Sequence, residues 1–394
     1  MIKILTFLFL VMVLNLVAVE NQLLRVNKQE IINEQKKEIE ANAQKIKYDW
    51  IAPLNLSSTY SKTNTQDDAV SDTSVNLNQD LFRSGGISYK IDYADVKLEN
   101  SLTSLALENT SLYEELFSGL LEYKKLYLIL QQNHFTLLNT EIDVFLKTQQ
   151  YKAGDVDITE LNRALRERNA ALKIELTAKQ AIVEKEIELK KLTDRELDSI
   201  EIPRFELVSK EEYKESNYDL LVASTNKELA DKEYKITKSS YLPTMSANAA
   251  YGYRDNSNIN FHDDYYTLGV TLSMPIDYNT KATLQESKAI YLQNSLNIEE
   301  SRVDAIALYD AGVSKIKNYQ AHKGVTQDNI ELYTKLIDIT AKAVESGLKS
   351  GYDLQTLQNT KRIDELELQV SDINIQIELA KLIFATKKGE NYYE

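Results

Sequence analysis

The chain repeats itself at a spacing close to half its length, and a duplication of that size constrains architecture before any single residue does. Gly154 opens the stretch Gly154-Asp155-Val156-Asp157-Ile158-Thr159-Glu160-Leu161. Gly347 opens Gly347-Leu348-Lys349-Ser350-Gly351-Tyr352-Asp353-Leu354, 193 residues later. The two agree at the glycine, at the acid six residues on and at the leucine after it. Val75-Asn76-Leu77 returns as Val270-Thr271-Leu272, at an offset of 195. Each copy runs short strand, polar loop, short strand, very long helix, tight turn, long helix.

The periodicities place these elements. After Pro53 the period is two: Leu54, Leu56, Ser58 and Tyr60 alternate with Asn55, Ser57, Thr59 and Ser61, and Val75, Leu77 and Leu81 alternate with Asn76, Asn78 and Asp80. The pattern predicts strands over 52–61 and 72–82 around a polar loop from Lys62 to Ser71. The second copy predicts strands over 244–254 and 265–275, with Met245, Ala247, Ala249, Tyr251 and Tyr253 on one face of the first and Leu268, Val270, Leu272 and Met274 on one face of the second. Long helices are expected over 84–150 and 280–346, each a rod of roughly 100 Å, and returning helices over 158–198 and 352–386. Gly85-Gly86 suits the corner between strand and helix. In the first returning helix Leu161, Leu172 and Val183 lie eleven apart, as do Leu165, Leu176 and Ile187. Eleven residues in three turns keeps a stripe almost straight, suiting staves of a cylinder, with an ordinary two-helix coiled coil as the alternative. Residues 49–200 and 241–386 thus form two repeats. A charged helix over 20–48 precedes them, a linker and shorter helix over 201–240 join them, and a charged tail over 387–394 is expected to fray.

Residues 1–19 read as a secretory signal, Lys3 preceding a run that is apolar except for Thr6 and Asn15, with an uncleaved anchor as the alternative. The chain has no cysteine, so it relies on no disulfide and carries no lipid on a Cys. A net charge of −14 argues against nucleic acid as a partner. Tyrosine is frequent, 24 against 9 Phe, and Tyr60, Tyr251, Tyr253, Tyr265 and Tyr266 sit near strand ends, where amphipathic rings meet a membrane interface. His134, His262 and His322 are far apart, and no nucleophile–base arrangement, phosphate loop or metal set is recognisable. The chain is therefore not expected to be an enzyme or to need a cofactor or metal.

Each strand is about the length that crosses a bilayer at a tilt, with one apolar and one polar face. Four strands cannot close a barrel, and an open edge in lipid strands backbone groups at several kcal/mol each, so other copies must complete the wall. Pro-Leu-x-Leu at the first hairpin, the junction Val-Asn-Leu-Asn-Gln-Asp-Leu-Phe-Arg-Ser-Gly-Gly (Val75 to Gly86) and Tyr-x-x-Gly (Tyr151 to Gly154) before an acid-Leu pair resemble the TolC-like outer-membrane efflux proteins. The resemblance covers about residues 21–386. It implies a mainly α fold with a small β part: duplicated units that, as a homotrimer, form a 12-strand outer-membrane barrel continued by a periplasmic helical barrel. It also implies an exit duct of tripartite efflux or type I secretion, bedded in outer-membrane lipid and docked on a periplasmic adaptor and an inner-membrane transporter. Gly154, Asp155, Gly347 and Leu348 would lie in the tip turns, and Asp353, Lys349, Glu160 and Thr159 at the entrance, Lys349 partnered by Thr159. Two positions depart from the family pattern: Val344 stands where a Tyr would bond the acid matching Glu160, and Thr356 replaces a second entrance acid. A periplasmic coiled-coil scaffold or adaptor without a pore is the rival reading.

Overall fold

The computed structural model describes residues 23–63, 68–256 and 261–393, so the expected signal over 1–19 lies outside them. In chain order the elements are α1 (Val26–Tyr48), β1 (Asn55–Thr63), β2 (Asp68–Phe82), α2 (Gly86–Ala153), α3 (Ile158–Leu189), α4 (Lys210–Ser216), α5 (Tyr218–Ser240), β3 (Thr244–Asn256), β4 (Phe261–Ser273), α6 (Thr280–Glu345) and α7 (Gly351–Phe384). Short 3-10 turns cover Leu197–Ser199 and Lys387–Tyr392. No helix among the described residues is long and apolar enough to cross a membrane. The chain divides into two compact units, one of Asn33–Ala106 and Asp219–Val303, the other of the residues up to Ile32, Leu107–Tyr218 and Asp304–Glu394.

The first unit holds one antiparallel sheet in the order β1-β2-β3-β4. Its register gathers the apolar positions of both copies on one face: Leu56, Val75, Tyr251 and Tyr266 form a row across all four strands. Leu77, Ala249 and Leu268 form the next. A bulge between Asp80 and Phe82 shifts the pairing by one residue, which brings Phe82 into line with Met245 and Leu272 on the same face. The opposite face is polar, with rows such as Ser57, Ser74, Gly252 and Tyr265. Tyr265 therefore does not join the other ring-bearing positions. It lies over Gly252, where an added Cβ would come within 2.7 Å of its ring, and donates to Asp72 at 3.0 Å beside the Arg254–Asp72 ion pair. The strands also run further than the polar loops suggested: Thr63 pairs with Asp68 and Asn256 with Phe261. Pairing needs only backbone groups, so Thr, Ser and Asp extend a ladder that composition marks as loop. At the corner between β2 and α2, Ser84 and Gly85 both take positive φ (48° and 87°), and Gly86 passes so close to Ser239 that a Cβ would meet its Oγ at 2.5 Å.

In the second unit helices lie side by side and antiparallel. His134, Glu141 and Glu122 of α2 face Glu175, Arg168 and Lys185 of α3. On its other flank α2 meets α7 through a polar ladder, with Asn139 to Asn359 at 2.8 Å, Gln132 to Glu367 at 2.9 Å and Lys125 to Asn374 at 3.2 Å. Lys315 and Lys323 of α6 then pair with Glu378 and Asp372 of α7. The lateral order is α3, α2, α7, α6. Within α3 the buried positions are Ala164, Ala171 and Ala178, and Glu175, Ile182 and Leu189, both spaced by seven. The seam with α2 is thus the two-helix coiled coil, and the eleven-spaced stripe lies off it: Leu165, Leu176 and Ile187 are 42%, 55% and 56% exposed.

Three expectations are corrected in this unit. The helix expected over 158–198 stops at Leu189, because Leu192, Leu197 and Ile200 turn inward to bury their side chains. α4 within the 201–240 linker was not foreseen, although Ser209 caps it by accepting from the Glu212 N–H. The tail does not fray: Tyr393 stacks on Tyr113 with ring centroids 3.8 Å apart, Tyr392 packs against Phe205 and Phe384, and Tyr218 donates to Glu390. These rings join Phe117 in the aromatic core of the unit.

Candidate functional site at the paired helix turns

The duplicated glycines end α2 and α6 in the same way. Gly154 and Gly347 take φ of 83° and 73°, the left-handed region that glycine enters without a Cβ penalty. The Asp155 N–H reaches the Gln150 carbonyl at 2.9 Å and Gly154 that of Tyr151 at 3.1 Å. In the second copy Leu348 reaches Ala343 at 2.8 Å and Gly347 reaches Val344 at 2.9 Å. Both are Schellman turns, which satisfy the last carbonyls of a helix. Nothing lies within 4 Å of a Cβ built on either glycine, so only backbone geometry demands them.

Three residues after each glycine a capping side chain starts the returning helix. Asp157 caps α3, its Oδ1 accepting from the N–H groups of Thr159 (2.8 Å) and Glu160 (3.1 Å). Those N–H groups hold its carboxyl below the usual aspartate range, Glu160 contributing most. Ser350 caps α7 in a full capping box: its Oγ accepts from the Asp353 N–H, and Asp353 Oδ2 accepts from the Ser350 N–H at 3.1 Å. Glu160 and Asp353 thus occupy the same third position of their helices but do different things. Asp353 closes the box, whereas Glu160 pairs with Arg163 at 2.8 Å. Both acids also sit where the helix dipole favours negative charge.

The remaining predicted residues face solvent. Leu348 is 81% exposed, and Asp155 and Lys349 are exposed beside it in kind. Lys349 and Thr159, expected as partners, make no hydrogen bond to each other within the chain. Val344 contributes the carbonyl that Gly347 bonds, and the Thr356 hydroxyl donates to the Tyr352 carbonyl at 2.9 Å. Phe145 and Tyr352 meet with centroids 5.0 Å apart, tying the end of α2 to the start of α7. Asp157 and Ser350 were not singled out in the sequence, yet an Asp before Ile158 and a Ser three residues before Asp353 are cap signatures. No group of His, Cys, Asp and Glu suited to a metal occurs among the described residues. The arrangement presents two charged, solvent-facing turns.

Fold and turns together define a class: a twice-repeated pair of strand hairpin and helical hairpin, whose sheet has one apolar face and two open edges. The family described as "Outer membrane efflux protein" matches residues 211–383, which span the second copy. "Outer membrane protein TolC" of Vibrio cholerae is 22% identical over 249 residues, a match covering 57% of this chain and 55% of that protein's length. Among solved structures, the outer membrane protein VceC of Vibrio cholerae superposes with a TM-score of 0.71 at 18% identity, over 90% of this chain and 91% of VceC. The Campylobacter jejuni CmeC outer membrane channel gives 0.74 at 12% identity, over 93% and 84%. The chain resembles the TolC-like outer-membrane efflux proteins, as its motifs implied, and it has their mainly α fold with a small β part.

Proposed function

We propose that this chain is the outer-membrane exit duct of a tripartite efflux or type I secretion system, a passive channel and not an enzyme. One observation carries the reading: a four-stranded sheet with an apolar face and a polar face, in which β1 and β4 are the edge strands among the described residues. Such a sheet is stable in lipid only when another strand covers each edge. Joining β4 of one copy to β1 of the next closes a barrel of 3 × 4 = 12 strands, apolar side outward. The flanks of the helical layer agree with that assembly. On α3, Leu165, Leu176 and Ile187 lie 11, 22 and 33 residues past Gly154. On α6, Leu336, Val325 and Ser314 lie 11, 22 and 33 residues before Gly347. Leu165, Leu176, Val325 and Leu336 are all exposed in the single chain. Since α3 leaves its turn and α6 approaches its own, the stripes of neighbouring copies meet level by level.

In this reading a signal over 1–19 directs export to the outer membrane of a Gram-negative cell. The helices extend through the periplasm, and the turns at Gly154 and Gly347 meet an adaptor coupled to an inner-membrane transporter. Asp155 and Leu348 are the contact residues of those turns. Asp353, one per copy and oriented by its capping box, lines a ring at the entrance that concentrates cations, with Glu160, Thr159 and Lys349 beside it.

Purified chain reconstituted in planar bilayers tests the reading. It is expected to form channels blocked by multivalent cations, and Asp353→Ala is expected to weaken that block by about tenfold. A chain that stays a dissolved monomer without lipid and conducts nothing refutes the duct. Conduction with unchanged block in Asp353→Ala refutes the ring alone.

A further inference from the structure

In a chain of net charge −14, one groove of the helical unit is basic. It measures ≈ 720 Å³ and lies where Pro203 and Arg204 of the connector between α3 and α4 pass over α2, α7 and α6. Lys124, Arg204 and Lys323 line it, against the single acid Asp372. Lys323 is paired with Asp372. Lys124 and Arg204 have no ion-pair partner among the described residues, so the groove carries an uncompensated positive charge of two.

The connector itself supplies a second observation. Gln376 holds both backbone groups of Phe205, accepting from its N–H at 2.8 Å and donating to its carbonyl at 3.3 Å. Ile202 and Arg204 make no backbone–backbone hydrogen bond among the described residues. A strip of backbone with spare donors and acceptors, pinned in place and flanked by cations, offers what an extended acidic peptide needs. Main-chain pairing supplies affinity, and charge at the pockets supplies selection.

We propose that this groove is a docking site for an acidic peptide segment of a partner protein, bound alongside residues 202–204 with its carboxylates on Lys124 and Arg204. The inference is independent of the channel reading, because binding is measurable whether or not the chain conducts. Fluorescence anisotropy of labelled hexaglutamate against the full chain in detergent tests it, with hexalysine as the control. Hexaglutamate is expected to bind saturably and hexalysine not at all. The double variant Lys124→Glu/Arg204→Glu is expected to weaken binding by at least about tenfold. Both side chains are exposed, and Lys124→Gln/Arg204→Gln serves if the reversal disturbs the circular dichroism. Hexaglutamate methylated on alternate amides is expected to bind more weakly, as strand pairing requires. Equal binding by the variants overturns the site. Equal binding of the methylated peptide, or full displacement by inorganic phosphate, overturns the peptide in favour of a simple anion site.

Discussion

Position three of a returning helix is acidic in both copies, yet the neighbour decides its job. With Ser350 as cap, Asp353 turns back to close a reciprocal pair of hydrogen bonds; with Asp157 as cap, the cap carboxylate alone accepts from two N–H groups and Glu160 turns forward to Arg163. Ser350→Ala should therefore cost α7 about 1 kcal/mol by removing the hydroxyl half of the box, whereas Ser350→Asp should preserve the helix start. Thermal unfolding followed by circular dichroism separates the two. The turn glycines and the first-turn acids were legible in the sequence because both are dictated by local backbone chemistry. Tyr265 was misplaced because nearness to a strand end does not say which face a ring takes. Parity with Gly252 and Asp72 decides that, and parity follows from the register.

At the scale of elements, α2 is held along much of its length by partners that composition did not advertise. Beside α5, the Tyr93 hydroxyl donates to Glu233 at 3.1 Å. Desolvation, then the Glu233 charge, pushes its titration up to about 12 from 10.0. The folded chain holds this proton more tightly than the unfolded chain, so the contribution is complete below pH 10 and is lost between pH 10 and about 12. Tyr93→Phe should flatten that part of a plot of melting temperature against pH. Further along, Tyr393 stacks on Tyr113 and bonds Thr110 at 2.9 Å. Tyr393→Ala should destabilise the unit by about 2 kcal/mol, visible as a lower thermal midpoint. The long helices and hairpins were legible because period and duplication reinforce each other over many residues. The reversal after Leu189, α4 and the packed tail were not, since each is stabilised by distant contacts: Arg25 to Leu192, Lys210 to Asp310, Tyr218 to Glu390. The eleven-spaced stripe was read as a surface for packing, yet Leu165, Leu176 and Ile187 are exposed; the seam with α2 uses the spacing of seven.

For the whole molecule, the proposed level-by-level match of α3 and α6 stripes between copies makes a direct forecast. The chain has no cysteine, so Leu176→Cys with Val325→Cys introduces the sole thiols. Oxidation should give crosslinked dimers and trimers on a non-reducing gel, and either single substitution should leave monomers. Absence of both crosslinked species would remove this interface. The sheet has β1 at one edge and β4 at the other, and the helical layer has α3 at one flank and α6 at the other, so within each layer every joint in a closed ring is head to tail. Genetics inherits a consequence from that asymmetry. A copy damaged on one flank still offers the sound one, enters the assembly and leaves a gap that no fellow can seal. If the ring holds three copies, as proposed, and half the copies in a cell carried such damage, only about one ring in eight would escape it, and the lesion would behave as dominant despite an intact second allele.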